Sequence, residues 1–300
     1  GTIDFDPGPA DASLTSGGVD IAFCKFSHDG TFLWAKCFAG DYQTDMINTV
    51  TTDKDNNILL GGYFGGTVDF EPGAGVFNMV SAGANDAFIV KLNPAGDLLW
   101  AKQFGDIANG AGVSGIVSDA AGNIFYAGGF SGSVDLDAGA GVAYFYCNTT
   151  DVYLIKLQPG GEFLWAKTIG NSNTVEYAAT LLRSSDGSLI IPVGFNSSFD
   201  ADPDSGIQIV NTNGDYDIAF VTLNANGEFG SVKSIGGTGG DNISTSHIDQ
   251  NNSLYFAGIF DGAVDFDPGP AFNILTSVGL FPYCDMFQMK LATSNYIKGI

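Results

Sequence analysis

Hydrophobic and polar residues alternate over short stretches that recur along the chain. Between positions 45 and 105, MINTVTTD (46 to 53) alternates with a period of two, a turn follows at Asp53 to Asn57, and ILLGGYF (58 to 64) is a run of strand length. Further on, DAFIVKL (86 to 92), the turn NPAGD and LLWAKQFG (98 to 105) repeat that outline, with Gly and Pro confined to the turn. The stretch predicts two hairpins, hence four antiparallel strands, named a to d here in chain order.

The same outline returns along the whole chain. Its clearest marker is an acidic hexamer: IDFDPG (3 to 8), VDFEPG (68 to 73), VDLDAG (134 to 139), FDADPD (199 to 204) and VDFDPG (264 to 269). The first acid falls at Asp4, Asp69, Asp135, Asp200 and Asp265, a step of 65 or 66 residues. Strand b ends at Phe64, Phe130, Phe195 and Phe260, and strand c opens at Asp20, Asp86, Asp151, Asp217 and Asp285. A fixed step of this size marks an array of units that cannot bury their cores alone.

Four antiparallel strands are the content of one propeller blade, which commonly takes about 40 to 50 residues. The surplus lies in a 21-residue connection between Phe64 and Asp86 that carries the hexamer. The expectation is a single all-β domain over 1–300: a β-propeller of four-stranded antiparallel blades, with about 65 residues in each. The units run 1–38 (strands c and d alone), 45–105, 111–170, 176–236 and 242–300, the last strand being NYIKGI; this makes four complete blades and a partial one. The chain opens inside a repeat, so a fragment of a larger ring, or a processed form, is expected, with the first strands a and b upstream of Gly1; the alternative is that the half-blade caps the array as it stands.

Composition narrows the function classes. The net charge of −22 repels a phosphate backbone and excludes nucleic acid as a partner. No run reaches the roughly 20 apolar residues of a membrane helix, so no membrane insertion is expected. Nine of the 11 cations sit at repeat positions: Lys25, Lys91, Lys156 and Lys290 in strand c, and Lys36, Lys102, Lys167, Lys233 and Lys298 in strand d. Strand d also carries Trp34, Trp100 and Trp165, replaced by Ser231 and Tyr296 in the last two copies; these aromatics are expected to be buried between blades. Cys24, Cys37, Cys147 and Cys284 show no disulfide or metal spacing and read as free, buried thiols, with Cys24 placed opposite Trp34. His28 reads as exposed in a turn and His247 as a packing residue.

The segment GGYFGGTVDFEPGAGVFNMVSAGANDAFIVKLNPAGDLLWAKQFG (61 to 105) resembles the bacterial β-propeller repeats of the SBBP type, and the resemblance extends over essentially the whole chain. The fourth copy departs most, with SFDADPD for the hexamer and GSVK for the WAK motif. The resemblance implies a secreted or cell-surface bacterial propeller, with no catalytic residues to transfer, and seven blades in the family's ring.

Within each hexamer the acids stand two apart: Asp4 and Asp6, Asp69 and Glu71, Asp135 and Asp137, Asp200 and Asp202, Asp265 and Asp267. In an extended segment both point to one side and the residue between them points to the other. Two readings stay open: calcium, which takes hard oxygen ligands, or carboxylates that cap backbone N–H groups of a turn. A propeller glycosidase would need one asymmetric pair of carboxylates, and five equivalent pairs argue against it. The expected function is therefore a non-catalytic extracellular binding, adhesion or scaffold module. Its acidic face would be formed by the hexamers with Asp41, Asp45, Asp106, Glu176 and Asp241. Partners would be an extracellular protein, a polysaccharide or other subunits of a surface assembly. The alternatives are a purely structural spacer in a surface fibre and a carbohydrate-active enzyme.

Overall fold

The structure is a computed structural model and describes residues 1–17, 20–41, 45–105, 110–171, 173–278 and 284–292. No described residue is helical, and no helix is long and apolar enough to cross a membrane. The second module forms one antiparallel sheet in chain order: Met46–Thr52, Ile58–Phe64, Asp86–Leu92 and Leu98–Phe104. The third repeats it with Ala111–Ser118, Ile124–Asp135, Tyr144–Leu157 and Phe163–Ile169. In the fourth, strand a is split into Glu176–Ala178 and Leu182–Arg183, beside Leu189–Phe195, Asp217–Leu223 and Phe229–Gly237. The break faces Pro192, which has no N–H to offer; the other described a strands carry only a bulge there. The first module is the pair Ile21–Phe26 and Phe32–Gly40, and the fifth is described for Asn242–Ile248, Leu254–Phe260 and Asp285–Leu291. The expected strand NYIKGI, with Tyr296 and Lys298, lies outside the described residues.

Alternation sends the two faces of each sheet to different neighbours. In the second module Leu60, Phe88 and Val90 pack with Phe38 of the first, whereas Leu59 and Ile89 pack with Val113 and Tyr126 of the third. Phe125 and Leu154 of the third then meet Ile191 and Val221 of the fourth, and Ile190 and Phe220 of the fourth meet Leu254 and Phe256 of the fifth. Four apolar interfaces thus join five modules side by side, a β-propeller-like arrangement. The consequence shows in strand c, which is buried on both faces in Asp86–Leu92 and Asp217–Leu223 but alternates with exposed positions in Ile21–Phe26 and Asp285–Leu291.

The long b-to-c connection is itself folded. In the second module it forms the hairpin Thr67–Asp69 with Asn78–Val80, and Ala39 and Gly40 of the preceding module pair with Asp69 and Val68. The fifth module's hairpin, Ala263–Asp265 with Ile274–Thr276, joins Gly236 and Gly237 in the same way. These two hairpins thus staple their modules to strand d of the one before. The middle residue of the hexamer points inward as alternation requires: Phe70, Leu136, Ala201 and Phe266 are all buried.

A second link lies at the opposite end of the sheets. A bulge in each c–d hairpin sets Trp34 opposite Lys25, Trp100 opposite Lys91 and Trp165 opposite Lys156. Each Lys ammonium donates to a carbonyl in the next module's c–d turn: Lys25 to Pro94 (2.8 Å), Lys91 to Pro159 (3.0 Å) and Lys156 to Ala225 (3.1 Å). Each indole lies over the glycine of that same turn. A Cβ added to Gly96, Gly161 or Gly227 would come within 3.2, 3.2 and 2.9 Å of Trp34, Trp100 and Trp165 respectively. The three tryptophans therefore occupy equivalent places between modules, as expected, but they are half-buried and not buried, because one edge of the ring follows a surface turn. The bulge also corrects the cysteine register: Cys24 faces Ala35, Cys37 faces Ala22, and of the four free thiols only Cys147 is buried. His247 is exposed beside the ring of Tyr255, not packed in the interior.

Lys91 also forms a buried ion pair with Asp53 of its own a–b turn, at 2.9 Å. Burial alone would raise the Asp53 carboxyl, but hydrogen bonds from Asn57, Lys91 and Asp55 outweigh it and bring it down to about 2. The fourth module replaces all three members together: Ser184, Thr222 and Ser231 stand where the second has Asp53, Lys91 and Trp100. Removing the Lys removes the need for its acid.

Asp53→Ala leaves a buried ammonium without its counter-ion and is expected to cost about 3 to 5 kcal/mol. Asp53→Ala combined with Lys91→Met should recover most of that loss in a urea-denaturation double-mutant cycle. Because the folded pKa of Asp53 is depressed, its contribution is present above the unfolded value near 4 and should fade as pH falls toward about 2. Trp100→Ala is expected to cost about 2 kcal/mol, less than a fully buried Trp would.

Candidate functional site

The hexamer carboxylates share one geometry in all five copies. Asp69 Oδ1 accepts from the N–H of Glu71 (3.0 Å) and, across the hairpin, of Phe77 (2.7 Å), while Glu71 Oε1 accepts from Gly73 N–H (3.0 Å). Asp4 likewise caps Asp6 and Ala12, and Asp6 caps Gly8. Asp135 caps Asp137 and Ala143, with Asp137 on Gly139. Asp200 caps Asp202 and Gln208, with Asp202 on Asp204; Asp265 caps Asp267 and Asn273, with Asp267 on Gly269. One oxygen of each first acid ties the two arms of the hairpin together, so the acids hold the turn in shape. Among the described residues no group of three or more His, Cys, Asp or Glu side chains converges as a metal cluster would.

Rigid capping turns the hairpin tips outward. Val76, Val142, Ile207 and Phe272 follow one another at steps of 65 or 66 residues and are 73, 71, 80 and 82% exposed. Val80, Tyr144, Tyr146, Ile209 and Ile274 on the returning arms are exposed as well. A large apolar side chain set repeatedly in water beside carboxylates is unusual for a surface that meets nothing.

A different set of acids is buried. The segment before strand c meets the segment before the next module's strand a: Asn85 C=O accepts from Ala111 N–H (3.3 Å), Thr150 bridges Val175 in parallel, and Tyr216 C=O accepts from Asp241 N–H (2.7 Å). This juxtaposition pairs Asp20 with Asp45, Asp151 with Glu176, and Asp217 with Asp241. Asp45, Glu176 and Asp241 were expected on the solvent face and instead lie in these junctions, only 5, 0 and 1% exposed. Asp41 remains at the surface and accepts from Thr67 N–H at 2.7 Å, and Asp106 lies outside the described residues. Burial, reinforced by the Asp151 charge and only partly offset by the Thr174 hydroxyl, pushes Glu176 up to about 7. Burial likewise carries Asp151 to about 6 and, against hydrogen bonds from Asp261 and Gly237, Asp241 to about 7.

The glycine that ends strand d lies directly beneath these carboxylates. A Cβ on Gly40 would sit 2.5 Å from Asp45 Oδ2, one on Gly170 2.8 Å from Glu176 Oε2 and 3.0 Å from Asp151 Oδ1, and one on Gly236 2.1 Å from Asp217 Oδ1. The recurrence of Gly40, Gly105, Gly170 and Gly236 at the module step is the sequence signal that could have located the junctions.

A cavity of about 590 Å³ opens beside the last of these junctions and is lined by Tyr177, Tyr216, Asp215, Asp241, Asp261 and Thr238 among others. Asp241 already accepts one N–H on each oxygen there, from Gly237 (3.0 Å) and Asp261 (3.3 Å).

A scan against models of known protein families finds no match. Over 170 residues, 49% of this chain, the sequence is 31% identical to an uncharacterized WD repeat-containing protein of Acanthamoeba polyphaga mimivirus. The matched stretch spans 12% of that protein's length. The likeness agrees with a repeat-built, propeller-like fold.

Gly170→Ala is expected to destabilise the chain by about 1 to 3 kcal/mol, since the residue sits at a φ of 132° and its new Cβ meets both carboxylates.

Proposed function

We propose that the chain is a non-catalytic binding or scaffold module of an extracellular or cell-surface protein, acting through the row of outer hairpins. The observation that carries this reading is the recurrence of Val76, Val142, Ile207 and Phe272, each exposed, each beside a carboxylate-capped turn. A surface that is apolar at its tips and acidic at its base suits a partner that offers apolar and basic groups together. The likeness to SBBP-type repeats supports an extracellular bacterial setting, and the WD repeat relative supports a repeat-built, propeller-like fold. Five equivalent hairpins give no asymmetric acid pair, which supports a role without catalysis.

A scaffold role among copies of such modules is favoured by a second observation. Asn78–Val80 and Ile274–Thr276 are the outermost strands of their sheets, and an open strand edge can pair with another chain. Calcium at the hexamers would be compatible with either role, since one oxygen of each acid caps the turn and the other makes no hydrogen bond described here.

The quadruple variant Val76→Ser, Val142→Ser, Ile207→Ser and Phe272→Ser tests the proposal. Its melting temperature should match that of the parent, while binding to immobilised basic proteins, or self-association in sedimentation, should be lost. Equal binding and association by the variant, or glycoside hydrolysis abolished by Asp241→Asn, would contradict the reading.

A further inference from the structure

Whatever the outer hairpins bind, the junctions between modules carry buried negative charge that the chain itself does not neutralise. Glu176 is wholly buried and Asp151 is 6% exposed. Glu176 Oε2 and Asp151 Oδ1 accept from no N–H or hydroxyl donor; they have only each other, and both face the same point above Gly170. One module further on, Asp217 Oδ1, also buried and unpartnered, lies over Gly236 beside Asp241, and two modules earlier Asp45 Oδ2 does the same over Gly40. Leaving a buried carboxylate oxygen unpaired is costly, and it recurs here at equivalent positions.

Among the described residues no ion pair reaches these acids. Lys25, Lys91 and Lys156 all reach the c–d turns, at the far end of strand c from its opening Asp. The junction between the second and third modules supplies a contrast: the second acid is replaced by Gly110, and Asp86 Oδ2 receives an amide N–H from Gln103 at 3.2 Å. The equivalent of Gln103 is Thr168 in the third module and Ser234 in the fourth, where the acids come in pairs. That junction thus carries one acid with an added side-chain donor, whereas the flanking junctions carry two acids.

We propose that a calcium-class cation is bound between Asp151 and Glu176, with the Asp217 and Asp241 junction as a weaker copy of the same site. Two carboxylates give the charge, and hard neutral oxygens are at hand in the Thr174 hydroxyl, which hydrogen-bonds Glu176, and in the Asn171 carbonyl, which accepts from Thr174 N–H. The site spans two modules: Asp151 opens strand c of the third and Glu176 opens strand a of the fourth. A bound cation would therefore hold neighbouring sheets together. Gly170 leaves the space that any side chain would close.

The test uses the intact chain at pH 8, with calcium as the probe and a chelator as the reference. Calcium is expected to raise the melting temperature and to give a saturable heat of binding, and Glu176→Gln and Asp151→Asn, each tested alone, should weaken that binding at least tenfold. Asp69→Asn with Glu71→Gln should leave the calcium response intact, since the hexamers are a separate place. The proposal is overturned if calcium does not move the melting temperature, or if the response disappears with the hexamer variant and survives in Glu176→Gln. It is equally overturned if the chain in chelator loses stability between pH 5 and 8 and calcium does not restore it, because the two carboxyls would then share a proton instead.

Discussion

Each sheet in this chain has two apolar faces, so none of its modules can bury its own core. A four-stranded sheet of about 65 residues, connection included, hides one face against the module before it and the other against the module after. At about 25 cal/mol for each Å² of apolar surface removed from water, the large side chains at these seams are the main favourable term in folding. Phe38, Phe64, Phe70 and Phe88 illustrate the dependence: they form one ring stack drawn from two modules and the intervening hairpin. Removing either module would expose the other's half.

The remaining interactions secure this side-by-side packing at both ends of the sheets. At one end, a Lys and a Trp of each module grip the next module's c–d turn, and the grip is dropped as a set in the fourth module, where Ser, Thr and Ser replace Asp, Lys and Trp. At the other end, the acidic hairpin crosses to strand d of the module before, and paired carboxylates lie beneath it. Positive and negative groups are thereby separated along the strands. The excess acidity of the chain goes partly into capping turns and partly into junctions, so the net charge of −22 is less a solvent coat than its size suggests.

Much of this was legible in the sequence, since a period of two and a repeated Gly-Asp-Lys-Trp outline fix strands and their order without reference to distant contacts. The strand inventory, the Phe that ends strand b and the inward residue of each hexamer all stand where alternation puts them. What escaped was set by neighbours. The connection of the second module became a hairpin because Val68 and Asp69 pair with Gly40 and Ala39 of another module, a contact invisible within one repeat. Trp100 is half-buried because its ring covers a turn, and Cys24 faces Ala35 because a bulge shifts the strand by one residue. Asp45, Glu176 and Asp241 belong on the acidic face by blade topology, which brings the d-to-a connections out beside the hexamers, but the close approach of two chain segments encloses them. At the site level, the hexamers were correctly singled out as repeated acid pairs, but their hydrogen bonds to turn N–H groups depend on arms eight residues apart closing together.

The interdependence of the modules can be measured by native-state hydrogen exchange. Amides of Asp86–Leu92 and Asp217–Leu223, whose strands are covered on both faces, should exchange only through global unfolding. Those of Ile21–Phe26 and Asp285–Leu291, each covered on one face, should exchange through partial opening at lower free energy and with a weaker dependence on denaturant. Equal protection in all four strands, or separate unfolding of the second and fourth modules with their neighbours intact, would contradict a structure held together between its modules.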